Sequence, residues 1–448
     1  VTTPQLLLAY YGDDFTGSTD VLEALTINGV STVLFLHPPS ADELRERFSH
    51  VRAVGVAGVS RSMTPQQMTE ALPPIFTSLK RLNASVYHYK LCSTFDSAPH
   101  IGSIGHAAEL GWQVFQPTAV PLIVAAPSLR RYVVFGNLFA TVGDITYRLD
   151  RHPTMSRHPV TPMNESDLRL HLGQQTQRAI AVLDLFHLTR DDLHRTLQSG
   201  AEIVLFDTVD EGHLYQAGRL IWEELPQPIF ALGSSGLEYA LTHVWQKSGL
   251  ITRPAALQRA QPVSQMLIMS GSASPVTNQQ IAHAIAHGAA EMRLDTTRLI
   301  DPEQAQQAQD EAVALAVSHL NAGKTLVMYT ARGPEDPALE ATRQRMLALS
   351  VDPTQTAAII GAQQGKIIRR ILEAYPLSRV CVAGGDTSGH TALSMGIYAL
   401  EFVTSIAPGA PLCRASAHHA AVDGLEIAFK GGQNGQEDYF MRLAQGGA

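Results

Sequence analysis

Short apolar runs alternate with longer stretches whose apolar residues recur at helical spacing, almost from one end of the chain to the other. Apolar runs bounded by Gly, Ser, Asp or Pro predict buried strands, and the periodic stretches between them predict helices. In the first half, strands are expected near 5–11, 31–36, 52–58, 86–91, 120–125, 179–183, 202–206 and 229–232. Helices are expected near 18–29, 65–82, 102–115, 165–176, 189–199, 210–224 and 235–248. The stretch 126–163, with Pro153, Pro159 and Pro162, reads as a long irregular connection. From Leu250 to Pro262 the chain reads as an interdomain linker, and Met266-Leu267-Ile268-Met269 restarts the pattern. Further strands follow near 290–294, 325–329, 379–383 and 425–429. The alternation predicts an α/β protein of two domains, 1–255 and 264–448, with mainly parallel sheets and a substrate cleft between them.

Several of these strands empty into small polar residues, and in α/β folds ligands gather at the carboxyl ends of strands. Arg379 to Ala383 runs into Gly384-Gly385-Asp386-Thr387-Ser388-Gly389, after which Leu393, Ile397 and Leu400 fall on one face of a predicted helix. A glycine turn opening a helix presents unpaired N–H groups to a phosphate, and the hydroxyls add donors. The plainer reading is a tight turn capped by Ser or Thr. Ser270-Gly271-Ser272-Ala273-Ser274 and Lys430-Gly431-Gly432-Gln433-Asn434-Gly435 repeat the design in the same half, and Ala231 to Gly236 repeats it late in the first. Three phosphate-compatible turns in one half weigh more than any one.

The first strand ends in Asp13-Asp14-Phe15-Thr16-Gly17-Ser18-Thr19-Asp20. One of these residues suffices to cap the helix that buries Val21, Leu22 and Leu25, so the remaining carboxylates point to sugar-hydroxyl binding or general-base work. Lys90, with Ser93 and Thr94 just beyond it, and Arg61 also follow strands and suit a substrate carboxylate. Taken singly, a lysine at a strand end is more often a solvated surface residue.

Composition narrows the classes. Of 448 residues, 45% are hydrophobic and 17% charged, with a net charge of -8 and no basic stripe, which argues against nucleic-acid and polybasic membrane partners. Three dispersed cysteines, Cys92, Cys381 and Cys413, suit a reducing cytoplasm rather than a disulfide framework or a zinc site. Leu6 to Tyr11 lacks a basic flank and reads as a first strand rather than a signal peptide. No apolar run approaches the ~20 residues that span a bilayer. A Walker P-loop, a Gly-x-Gly-x-x-Gly fingerprint and a Gly-x-Ser-x-Gly elbow are all missing from the sequence.

Asp13, Asp14, Thr16, Gly17 and Asp20, with Gly384 to Gly389, Ser270 to Ser274, and Lys430, Gly431, Asn434 and Gly435, together resemble the four-carbon acid sugar kinase family over essentially the whole chain. The resemblance implies an N-terminal acid-sugar domain and a C-terminal ATP domain. It also implies phosphoryl transfer from ATP, with Mg²⁺, to a hydroxyl of a small acid sugar. Under it, Asp13, Asp14 and Asp386 are the catalytic candidates. Asp13, Asp14, Arg61, Lys90, Ser93 and Thr94 bind the acid sugar; Ser270, Ser272, Gly384, Gly385, Asp386, Thr387, Ser388, Gly389 and Gly431 bind the nucleotide.

Two departures bear on the substrate. Cys92 stands where typical members carry an acid and Ser97 near where they carry a base, and Gly432-Gln433 lengthens the closing motif. The wording from Lys90 to Pro99, with His158 to Met163, resembles the branch that phosphorylates 3-oxo-isoapionate. A kinase of 3-oxo-tetronate or threonate is the nearest alternative. A hydrolase or lyase of a phosphorylated sugar acid, and a non-catalytic sugar-acid or nucleotide sensor, are the alternatives of other classes. A homodimer is compatible with the sequence but not specified by it.

Overall fold

Eight strands of the first half pair side by side in parallel: β1 (Leu8–Gly12), β2 (Thr32–Phe35), β3 (Ala53–Ala57), β4 (Val86–Lys90), β5 (Val120–Ile123), β9 (Ile180–Leu183), β10 (Ile203–Phe206) and β11 (Ile229–Gly233). Their order is β2-β3-β1-β4-β11-β5-β10-β9. The computed structural model describes residues 6–158, 160–255 and 259–447 and divides into two units, Val1–Ala255 and Ala256–Ala448. The central strands are buried along their whole length, as expected when helices cover both faces of a parallel sheet. The helix Phe15–Ile27 buries Val21, Leu22 and Leu25, each worth about 1.5–3 kcal/mol for Val and Leu side chains.

The connection expected over 126–163 is not irregular. It carries a three-stranded antiparallel sheet of β6 (Arg131–Val134), β7 (Asn137–Val142) and β8 (Ile145–Arg148). Its signal is weak because the sheet is half-solvated, with Val142 and Ile145 exposed, so no clean apolar alternation marks it. Pro159 lies outside the described residues.

The second unit orders its strands β13-β14-β12-β15-β18-β17-β16, where β12 is Leu267–Ser270, β13 Ala290–Arg293, β14 Leu326–Tyr329, β15 Arg379–Ala383, β16 Ile397–Ala407, β17 Ala410–Ala417 and β18 Glu426–Lys430. The first five are parallel, and β17 and β16 add an antiparallel hairpin. Here the helix expected to carry Leu393, Ile397 and Leu400 is corrected. It spans only Gly385–Ser394, Leu393 is 54% exposed, and Ile397 and Leu400 belong to β16. Gly396, at φ +79°, ends the helix in a left-handed conformation that few other residues adopt cheaply, and a β-branched and aromatic run follows.

In each unit the register aligns the strand ends. Gly12 pairs with Ala57 and with Lys90, and Lys90 with Gly233; Ser270 pairs with Tyr329 and with Ala383, and Ala383 with Lys430. Each polar segment therefore leaves its strand at the same height. One close approach locks the first row: a Cβ on Gly236 would sit 1.8 Å from the carbonyl oxygen of Ala125. Since the obstacle is backbone, Gly236→Ala is expected to lose about 1–3 kcal/mol and to lower the thermal midpoint by roughly 2–10 °C. An unchanged midpoint in circular-dichroism melting would show that the turn yields.

Candidate active site

The first unit's row carries the acids. Asp13 follows β1 directly; its N–H donates to the Lys90 carbonyl and its carbonyl accepts from the Arg61 N–H. Asp13 is 2% exposed, and both its carboxylate oxygens are taken by Arg61, from Nε at 3.2 Å and Nη2 at 2.8 Å. Burial pushes the Asp13 carboxyl above its usual range, against the pull of the Arg61 guanidinium. Burial also opposes the charge on Arg61, but Asp13 and Asp14 hold it well above its ordinary value, so it stays protonated.

Asp14 is placed differently. It caps the helix Phe15–Ile27, its Oδ1 accepting from the Gly17 N–H at 2.8 Å and from Arg61 Nη2 at 2.8 Å, while about a quarter of its side chain is exposed. Both bonds use one oxygen. Lys90, 2% exposed, stands 3.8 Å from Asp20 Oδ2, and burial raises the Asp20 carboxyl while the ammonium opposes the rise. Past β4, Ser93 lies in a turn, and the Cys92 thiol, Thr94 hydroxyl and Asp96 carboxylate form a chain with spacings of 2.9 and 2.7 Å. Burial, with Asp96 nearby, pushes the Cys92 thiol up to about 11, so it is no thiolate at neutral pH. Asp13, Asp14, Arg61, Lys90 and Thr94 thus share one sheet edge. Arg61, though, spends its known bonds on the two aspartates rather than standing free for a substrate.

Gly17 makes this packing fit. A Cβ there would stand 2.4 Å from Asp14 Oδ1 and 3.0 Å from Lys90 Nζ. On propensity alone, Gly17→Ala in a helix would stabilise by up to about 1 kcal/mol. The steric reading predicts instead a kcat/KM loss of at least about tenfold with little change in melting. An alanine variant of full activity would show that Asp14 need not sit where it does.

In the second unit the turns that follow β12, β15 and β18 carry no acid in the described side chains but are rich in donors. Gly384 opens the helix Gly385–Ser394 with no side-chain cap, so its first-turn N–H groups are left to other partners. Thr387 Oγ1 and Gln364 Nε2 are buried without a hydrogen-bond partner, and both lie close to Gly271. Ser388 is already committed, its hydroxyl donating to the Gly384 carbonyl, and Gly389 lies inside the helix. The side chain of Asp386 lies outside the described structure. Ser270 Oγ accepts from Ser272 N and Ser272 Oγ from Ser274 N, which curls the turn into the helix Pro275–Ala286. A pocket of about 110 Å³ opens beside Gly271 and Thr387, with apolar walls from Leu339, Ala357 and Ile360.

Sequence reasoning did not assign Lys430 a role. It ends β18 fully buried, donates to Thr277 Oγ1 at 3.0 Å, and Thr277 in turn donates to the Gly432 carbonyl at 2.8 Å. Burial lowers the Lys430 ammonium to about 8. The signal was present: like Lys90, it closes an apolar strand just before a glycine turn. Among the described residues, no group of three or more His, Cys, Asp or Glu is placed to hold a metal ion, and no helix is long and apolar enough to cross a membrane.

Two family models match the chain, a sugar-binding N-terminal domain over residues 8–241 and a nucleotide-binding C-terminal domain over 267–440. The 3-oxo-isoapionate kinase of Paraburkholderia graminis is 45% identical over 98% of this chain and 94% of its own. The 3-oxo-tetronate kinase of Pectobacterium atrosepticum is 29% identical over 97% of this chain and 98% of its own. Among solved structures, a Salmonella typhimurium LT2 protein described as a tRNA synthase superposes with a TM-score of 0.79 at 26% identity, covering 98% of this chain and 99% of that one.

Proposed function

Because the chain belongs to the four-carbon acid sugar kinase family, ATP-dependent phosphotransferases acting on a hydroxyl of a small acid sugar, we propose that its own acceptor is 3-oxo-isoapionate, converted to the 4-phosphate. The observation that carries this choice is the 45% identity to a kinase of that compound, against 26–30% to the 3-oxo-tetronate kinases. Cys92 supports it: a neutral thiol stands where an acid is typical, which changes the charge facing the acceptor.

In this reading the first unit holds the acid sugar at Asp13, Asp14, Arg61, Lys90, Ser93 and Thr94. Asp14 is the catalytic base: the oxygen not engaged by Gly17 and Arg61 accepts the proton of the attacking hydroxyl, while Asp13 anchors Arg61. The second unit takes ATP at Ser270, Ser272, Gly431 and the Gly384–Gly389 turn. The unpartnered Thr387 hydroxyl and Gln364 amide fit this assignment, since buried polar groups in native proteins are seldom left unpaired. Lys430 lies under the glycine turn that would face phosphate. Mg²⁺ needs only one or two carboxylates besides phosphate oxygens; when bound it neutralises phosphate charge. Positioning and charge neutralisation supply most of such a reaction.

A coupled ADP-release assay over 3-oxo-isoapionate, 3-oxo-tetronate and threonate tests the substrate. We expect kcat/KM for 3-oxo-isoapionate to lead by at least about tenfold, a margin of roughly 1.4 kcal/mol. Equal or better turnover of either four-carbon acid would overturn the choice. ADP release with none of the acids would favour a sensor or another reaction class.

A further inference from the structure

We propose that Arg131 is the carboxylate anchor of the acid-sugar site, a binding residue for this reaction that neither its sequence motifs nor the pairing of Arg61 and Lys90 reveals. The inference rests on the reading of the first unit as the acid-sugar site.

The loop from β5 to β6 leaves the same sheet edge as the acids: Ser234 N–H donates to the Ile123 carbonyl, Ser234 Oγ to the Val124 carbonyl, and Ala126 and Arg131 exchange backbone hydrogen bonds. Arg131 therefore starts β6 beyond the carboxyl ends of β5 and β11. Cys92 and Asp96 lie close enough to act electrostatically on both Arg131 and Arg61, which ties Arg131 to the cluster that holds Asp13 and Asp14.

The Arg131 guanidinium is only partly bonded. Its Nη1 is held by the carbonyls of Leu129 at 2.9 Å, Arg130 at 3.3 Å and Thr141 at 3.4 Å. One end of the fork is thus fixed in direction by backbone. Its Nε is buried with no acceptor at all, and no described carboxylate forms an ion pair with Arg131. The other cations of the site are spent: Arg61 is bonded to both oxygens of Asp13 and to Asp14, and Lys90 faces Asp20. An unmet buried N–H on a charged group costs more than a neutral one and is uncommon in native proteins; Arg369 and Arg370 share it, but each has a carboxylate partner, which Arg131 lacks. A sugar carboxylate, planar and anionic, matches the Nε–Nη2 edge of such a fork, which has no acceptor among the described residues. Of the three cations in this cluster, Arg131 is thus the one with no carboxylate partner among the described residues.

The test compares Arg131→Met and Arg131→Lys with the wild type on 3-oxo-isoapionate and on its carboxamide, which keeps the hydroxyls and removes the charge. Arg131→Met should raise KM for the acid about 10- to 100-fold and leave KM for ATP within about twofold. On the carboxamide, wild type and variant should agree within about a factor of two. An equal loss on acid and carboxamide would assign Arg131 a purely structural role, and an unchanged KM for the acid would remove it from the site. Should the methionine variant not fold, the lysine variant decides: charge without the fork keeps part of the preference for acid over carboxamide, and a preference equal to wild type, or none together with raised KM on both compounds, overturns the proposal. Thermal shift by 3-oxo-isoapionate without ATP gives a reading independent of turnover. A wild-type shift lost in Arg131→Met upholds the anchor even if the proposed reaction fails, and a shift retained in the variant refutes it.

Discussion

Asp14→Asn is expected to lower kcat for the acid sugar by about 10²–10⁴-fold, the usual contribution of a general base, with KM for ATP unchanged and melting within about 1 °C of wild type. The fold should survive because Asn caps helices about as well as Asp, and the Oδ1 bond from Gly17 persists. What disappears is the second oxygen's capacity to take a proton. Asp13→Asn should behave in the opposite way. Both oxygens of Asp13 serve Arg61 in a buried pair, and an amide there leaves that guanidinium half-paired at a cost of about 3–5 kcal/mol. Loss of stability should therefore dominate. If Asp14→Asn changes only KM, Asp14 binds rather than accepts the proton. If the two variants are indistinguishable in melting, the division of labour between adjacent aspartates is wrong. Steady-state kinetics beside differential scanning calorimetry separates these outcomes.

Lys430→Met should weaken ATP by about two orders of magnitude, the scale of a lost hydrogen bond to a charged group, while making the ligand-free protein more stable. The two effects share one cause. Burial lowers this ammonium from 10.5 to about 8, so at pH 7 the folded chain holds a charge in a place that resists it. The unfolded chain binds that proton more tightly, and its stability disadvantage is fully relieved only above the unfolded value. Between about 8 and 10.5 the wild type should therefore gain stability as pH rises, by about 3 kcal/mol in all. Methionine removes the penalty at every pH and with it the dependence. The same deprotonation predicts that KM for ATP climbs in the wild type above about pH 8 and does not in the variant. Chemical denaturation at pH 7 and pH 9.5, alongside ATP titration, reads both. A variant that is less stable than wild type at pH 7 would mean that the bond to Thr277 outweighs desolvation.

Much of the fold was legible because parallel strands buried on both faces are continuous apolar runs, and their polar endings advertise the edge where chemistry gathers. β1, β3 and β4, with their Asp-Asp, Arg and Lys endings, stand where periodicity placed them. β6 to β8 were not legible, for a short solvated antiparallel sheet buries too little to impose a pattern. β16 was read as helix because Leu393, Ile397 and Leu400 satisfy helical spacing by coincidence, which the conformation of Gly396 and the β-branched, aromatic run after it break. At the site, residue types were readable but their commitments were not. Sequence presents Arg61 as a free cation beside two acids, whereas folding closes it onto them. Arg131 carries no motif at all, and the state of its guanidinium is visible only in the folded chain. Lys430 announced itself by position, and its meaning emerged from burial.

The aligned strand endings carry an implication for how such a chain can change over time. Side chains on a strand alternate sides, so His88 and Lys90 of β4 share a face, and the ladder to β1 and β11 fixes their height. A single codon gained or lost within β4 or β18 would turn the terminal lysine to the reverse side of its layer and shift its partners along with it. Length variation is thereby confined to the segments after each ending, where a different acceptor can be accommodated by rewording a few positions while the count within every strand stays even-handed and untouched.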